Sequence, residues 1–451
     1  MKDQKLMSES NVGAPFRHPI PWKTAEYYDE DALDSELRRV FDICHGCRRC
    51  FNLCDSFPRL FDLIDESESG ELDSVDSSLF GPVIDACTLC DMCFMTKCPY
   101  VPPHEFDLDF PHLMLRARAA KTKKEGVPFS VKQLTKTDRN GKLCKHVAPV
   151  VNWASKRKNI TARKLIEKTV QIHQEASLPK FHSKTLIDES GTKTTANLKG
   201  PAFGKKVVLY ATCFGNYNNP KIGQAAIKVL SKNGVESTIV YPGCCGMPQL
   251  EQGNIPEVLE SAKKVSAELQ PWIESGYDVI TLVPSCALMM KFEWPLLLPE
   301  NEDIKRLSDA TKDLSEYVIE LSKKEGLEEG LRPIQGGVSM HLACHARAQN
   351  MGQKGVEMLK LIPDTEITVI ERCSGHGGSL GFMKEYFDVG VKLGAPVARK
   401  VLQSQNKHIV SECPLAREHI VQVSEKYSEE EVTFTSFQHP IELIALSYGL
   451  K

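Results

Sequence analysis

Eight of the sixteen cysteines in this 451-residue chain fall in two short groups, Cys44-x2-Cys47-x2-Cys50-x3-Cys54 and Cys87-x2-Cys90-x2-Cys93-x4-Cys98. Thiols spaced every third residue force the backbone to curl around a common centre, and this pattern points to metal. A secreted disulfide framework would spread its cysteines in pairs instead. The rest of the composition is ordinary for folded protein, with 41% hydrophobic and 25% charged residues. A chain of this length accommodates about three domains. The first twenty residues, MKDQKLMSESNVGAPFRHPI, lack the apolar stretch and cleavage site of a signal peptide. No run is long enough for a membrane span, so the sequence predicts a reducing, cytoplasmic location.

Three cysteines at this spacing hold three corners of a four-iron cube, and in two-cluster ferredoxins the fourth ligand comes from the other group. The expected sets are Cys44, Cys47, Cys50 and Cys98 for one 4Fe–4S cluster, and Cys87, Cys90, Cys93 and Cys54 for the other. Zinc sites use two cysteines per turn and close a tetrahedron with two more, which would leave four of the eight thiols unexplained. Two departures from the bacterial ferredoxin pattern remove no ligand: Asp55 stands where a proline usually follows, and the second group is one residue longer before Cys98. Arg48 and Arg49 flank the first group while Asp85 and Asp91 flank the second, so the Cys44 cluster is expected to have the higher potential. Upstream, Asp31–Asp42 places Leu33, Leu37, Val40 and Phe41 on one helical face that leads into the first group. Downstream, Pro99, Pro102, Pro103 and Pro111 are expected to stop regular structure, ending the first domain near residue 120.

Charge is strongly polarised along the chain. Asp55 to Asp91 holds ten acids and one base, whereas Arg116 to Lys168 holds sixteen Lys or Arg and three acids. The basic block, within a connector over 121–200 interrupted at Asn140–Gly141, reads either as a solvated surface or as a docking patch for an acidic partner or anionic lipid. Phe129 and Trp153 are its only aromatic residues, too few for base stacking, which argues against nucleic acid.

From about residue 200 the pattern becomes strand–helix alternation, implying parallel α/β structure. The pattern then recurs: Cys213 aligns with Cys344, Cys244 with Cys373 and Cys286 with Cys413, at offsets of 131, 129 and 127 residues. A near-constant offset at three anchors indicates an internal duplication, spanning 201–330 and 331–451, whose halves face one another or share a sheet. The stretch Gly375–Gly381 fails as a dinucleotide fingerprint, because its third glycine would fall at Leu380. No other flavin or nucleotide signature is present. Cys144 reads as an incidental thiol, and His341 and His439 as structural.

Cys213 followed by Cys244-Cys245-Gly246 and Cys286, duplicated downstream, resembles the cysteine-rich CCG domain of heterodisulfide reductase B-type subunits. With the paired cluster motif in front, the chain is similar to the iron–sulfur subunits of anaerobic glycerol-3-phosphate dehydrogenase and of glycolate and lactate oxidases. The resemblance implies an α+β protein. Its N-terminal part would be a mostly helical ferredoxin-type domain (1–120), and its C-terminal part an α/β domain of two tandem CCG repeats. The family's full motif carries five thiols. Met289 replaces the last in the first copy, leaving Cys213, Cys244, Cys245 and Cys286, enough for a third iron–sulfur cluster or a zinc ion. Ser374 and Ala416 deplete the second copy, leaving Cys344, Cys373 and Cys413, with His345 or His376 as a fourth ligand or else inert buried thiols.

Without a flavin, a hydride site or a nucleophile with its base, the chain lacks the parts to oxidise a substrate alone. The resemblance implies a relay from a partner flavoprotein dehydrogenase to a quinone or redox-protein acceptor, peripheral to the inner face of the cytoplasmic membrane. Two other readings stand beside it: a thiol–disulfide or heterodisulfide reductase acting through the CCG domain, and a zinc-binding scaffold within a complex.

Overall fold

The computed structural model describes residues 15–191 and 195–450, in two compact units. The first comprises residues up to Val127 with Pro248–Leu259 and Leu296–Pro299; the second comprises the remainder. Most of the N-terminal stretch read above for a signal, and Thr192–Thr194 of the connector, lie outside the described residues.

In the first unit, α1 (Glu30–Cys47) starts where Asp29 accepts the Ala32 N–H at 2.8 Å, with Glu30 and Asp31 in its first turn. It buries Leu33, Leu37, Val40 and Phe41, the face its periodicity predicts. It also runs beyond Asp42, so Cys44 and Cys47 sit on its last turn and the chain leaves through Arg48 at φ 52°. Directly after Cys54, α2 (Ser56–Asp65) buries Phe57, Leu60, Phe61 and Ile64. Pro111 does not stop regular structure as expected; it lies in the first turn of α3 (Phe110–Glu125), where a fixed φ helps and its missing N–H costs nothing. Phe110 meets Phe57 at 4.7 Å and Phe41 at 6.1 Å between ring centroids, tying the three helices together.

In the second unit the basic segment is largely helical, including α4 (Thr137–Cys144), α5 (Ala148–Ser155) and α6 (Ile160–Val170). Asn140–Gly141 therefore lies inside a helix instead of breaking one. The glycine is there for room: a Cβ at 141 would stand 2.2 Å from the Tyr217 ring.

Two parallel sheets follow. β1 (Lys206–Tyr210), β2 (Glu236–Val240), β3 (Asp278–Thr281) and β4 (Thr311–Asp313) run in the order β2-β1-β3-β4. β5 (Val338–His341), β6 (Ile367–Ile370) and β7 (His408–Ser411) run in the order β6-β5-β7. The first strand of each repeat is thus central and flanked by the second and third, and the strand starts are offset by 132, 131 and 130 residues. The duplication extends to topology. The sheets are separate, yet Val207, Leu209 and Ile280 share one buried cluster with Val338, Met340 and Val410. α7 (Phe387–Ser404) and α8 (Pro414–Tyr427) flank β7 in sequence. Beyond the repeats, helix Pro440–Ser447 adds Ile441, Leu443 and Ile444 to the shared core.

Candidate metal centres

In the first unit the eight thiols gather crosswise. Burial, with Cys98, Cys50 and Cys47 close by, pushes the Cys44 thiol well above its usual range. Burial, Cys98 and Cys47 raise Cys50 to about 12, against the pull of Lys97 and Arg49. Burial together with Cys90, Cys87, Cys54 and Cys50 drives Cys93 well up. Cys98 thus stands with the first three cysteines and Cys54 with the second three. Leu89 (φ 48°) and Asp91 (φ 63°) bend the second loop into left-handed backbone that non-glycine residues adopt at a cost of roughly 1–3 kcal/mol.

The charges expected to bias the clusters are partly spent elsewhere. The Arg48 guanidinium pairs with Asp65 at the surface. Asp91 is held by Arg17 at 2.7 Å, and Arg17 also reaches Asp109 at 2.8 Å. Arg118, distant in sequence and buried, donates to Ile84 O at 2.7 Å, Asp85 O at 3.2 Å, Glu251 O at 3.0 Å and Cys87 O. It pins the second cysteine loop and brings a positive charge to Cys87, which no local motif announced.

In each repeat the cysteines follow the carboxyl ends of the three parallel strands, the edge where α/β sheets gather their ligands. Thr212, at φ 56°, turns the chain from β1 into Cys213. Cys244, Cys245 and Cys286 are buried. The sulfurs form a chain of contacts, Cys213 to Cys244, Cys244 to Cys245, and Cys245 to Cys286. Cys244 is the acceptor: bonds from Cys213 and Cys245 pull it well below the usual thiol range, while the same bonds push its two donors up. Met289, where a fifth thiol would stand, is fully buried as packing.

The second repeat keeps the loop but not the enclosure. The Gly375 N–H approaches Cys373 Sγ at 3.3 Å, as the Gly246 N–H approaches Cys244 Sγ at 3.5 Å, with both glycines at positive φ. Cys344 and Cys373, however, are exposed and Cys413 is half-buried. Ser374 and Ala416 are buried in place of thiols. His345 faces the first repeat, its Nδ1 at 2.8 Å from Ser285 Oγ, beside Cys286. His376 lies near His419, ring centroids 6.5 Å apart, and burial with the His419 and His345 imidazoles holds its pKa at about 3. His419 sits on α8 without any motif, and only the packing brings it here. His341 and His439 serve structure: the former bonds Ser411 Oγ and Arg372 O, the latter caps helix Pro440–Ser447.

The four thiols of the first repeat fit a thiolate-held metal centre. The Thr137 hydroxyl is buried against Cys213 and Cys244 with no nitrogen or oxygen as its partner, an orphan facing sulfur. Among the described residues no three His, Cys, Asp or Glu close to the spacing of a single ion.

Residues 207–291 and 338–416 match the family model of the cysteine-rich domain CCG. The chain is 28% identical over 315 residues to one of the subunits of anaerobic glycerol-3-phosphate dehydrogenase of Escherichia coli, covering 69% of this chain and 75% of that protein. It is 28% identical over 185 residues to lactate utilization protein A of Bacillus pumilus, 39% of this chain and 74% of that one. It is also 24% identical over 278 residues to one of the subunits of fumarate reductase (CoM/CoB) of Methanothermobacter marburgensis, 59% and 52%. No helix among the described residues is long and apolar enough to cross a membrane. The chain thus carries two matches to the CCG domain in tandem and is similar to subunits of dehydrogenases and reductases, consistent with the CCG-domain iron–sulfur proteins.

Proposed function

We propose that this chain is the electron-transfer subunit of a larger redox enzyme, taking electrons from a partner flavoprotein dehydrogenase and passing them to a quinone or redox-protein acceptor. The observation that carries the reading is the crosswise grouping of the N-terminal thiols, Cys98 with Cys44, Cys47 and Cys50, and Cys54 with Cys87, Cys90 and Cys93. That is the ligand arrangement of two 4Fe–4S clusters, which supply one-electron transfer when bound. The first repeat, with Cys213, Cys244, Cys245 and Cys286, holds a third metal centre. The test is an iron and sulfide count on anaerobically purified protein with low-temperature paramagnetic resonance. Two cubes give about 8 irons per chain, and a third iron–sulfur centre brings the total to about 12. Fewer than 8, with zinc at the N-terminal cysteines, overturns the relay.

A cytoplasmic, peripheral membrane position is part of the proposal. Leu143, Val147, Val150 and Trp153 recur at helical spacing along α4–α5 and are 61%, 49%, 64% and 61% exposed. Lys142, Lys156 and Lys158 are exposed within the same stretch. Apolar side chains set among lysines suit the interface of an anionic bilayer. Co-sedimentation with phosphatidylglycerol vesicles is expected to fall with salt and with Trp153→Ala. Equal recovery on neutral vesicles and at high salt would argue for an apolar anchor instead of charge-driven docking.

A further inference from the structure

The thiols of the first repeat are met by a helix from outside the matched domain. Asp138 lies on α4, in the basic segment, ahead of the CCG match that begins at residue 207. Its Oδ2 accepts the backbone N–H of Cys244 at 2.9 Å, and its other oxygen accepts the Tyr241 hydroxyl. Thr137, one residue earlier, puts its hydroxyl against Cys213 and Cys244.

The fit of this helix is specific. A Cβ at Gly243 would stand 3.3 Å from Asp138 Oδ2, and one at Gly141 would enter the Tyr217 ring, so two glycines set how closely α4 approaches the cysteine loop. Tyr217 and Tyr241 in turn meet edge to face at 5.6 Å. In a segment rich in Lys and Arg, one of the few acids is turned inward against the Cys-Cys pair.

We infer that Asp138 is a positioning residue for the first-repeat metal centre. Its carboxylate anchors the Cys244–Cys245 loop through the Cys244 N–H, orients Tyr241, and adds a negative charge that would favour the oxidised state of an iron–sulfur centre held by these thiols. Outer partners of this kind orient first ligands and tune the metal, and their loss typically weakens metal binding about 10–100-fold. The inference rests on the reading that Cys213, Cys244, Cys245 and Cys286 bind a metal. The residue was invisible in sequence because the acid lies 75 or more residues from every cysteine it serves in that repeat.

The test compares the full chain, purified anaerobically, with Asp138→Asn, Asp138→Glu and Tyr241→Phe, reading metal content, resonance spectrum and midpoint potential of each centre. The N-terminal clusters serve as an internal control for folding. Asp138→Asn is expected to raise the potential of the first-repeat centre and alter its spectrum, or to lose that centre alone. Tyr241→Phe keeps the charge and is expected to shift the potential less, and Asp138→Glu to recover part of the wild-type value. If Asp138→Asn fails to fold, Thr137→Val and Tyr241→Phe carry the test through the same spectrum. A third centre whose potential and spectrum ignore these changes overturns the role of Asp138 while leaving the metal reading intact. A wild-type chain without a third centre overturns both.

Discussion

The two repeats share strand order, spacing and the glycine after the cysteine loop, yet one buries three of its four thiols and the other leaves two of its three exposed. The scaffold is therefore separable from the chemistry. A parallel sheet delivers its strand ends to one edge whatever side chains follow them. Whether they make a metal site depends on thiol count and on what covers them. In the first repeat the cover includes Thr137 and Asp138 from α4.

The largest expected effect falls on the thiols that set the repeats apart. Cys245→Ser or Cys286→Ser should lose the third centre, taking an iron–sulfur chain from about 12 irons to about 8. Cys344→Ser should leave the count unchanged, and an equal loss from both would show that the repeats work alike. Next comes the shared turn. A Cβ at Gly375 would stand 2.0 Å from Gly390 O, on backbone that also has φ 75°. Gly375→Ala is expected to cost about 3 kcal/mol or more, read as a lower urea midpoint, and Gly246→Ala, at φ 84°, at least about 1–2 kcal/mol.

Restoring the missing thiols approaches the same difference from the other side. Ser374→Cys with Ala416→Cys is a small volume change at two buried positions and should raise bound iron if thiol number alone limits the second repeat. Unchanged metal would assign the difference to cover. The smallest effect concerns β4, the strand the second sheet lacks. Burial raises Asp313 to about 6 although the Ser315 N–H opposes the shift. Its folded value exceeds the unfolded one, so its contribution is full below about pH 4 and is lost as pH rises through 6. Asp313→Asn, which still caps its helix, should flatten that part of the stability profile, measured by urea melts across pH 4–7.

Strand and helix order in the repeats was legible because alternation of β-branched runs with amphipathic segments survives in the chain whatever the packing. The short strand Thr311–Asp313 was not, since three residues carry no period; its place comes from pairing with β3. Pro111 and Gly141 misled for a related reason. Proline both ends and begins helices, and a glycine inside a helix looks like a break until the Tyr217 ring against it is seen.

Thiol spacing and a repeated pattern are covalent facts, so the thiol inventory and the duplication could be read directly from the chain. Which distant side chains attend those thiols is a matter of packing. Arg118 at Cys87, Asp138 at Cys244 and His419 at His376 are brought there by helices whose positions the core sets. Charges near a buried site act over space, so neighbours in the chain differ in what they contribute: Arg49 acts on Cys50, whereas Arg48 is paired outward with Asp65.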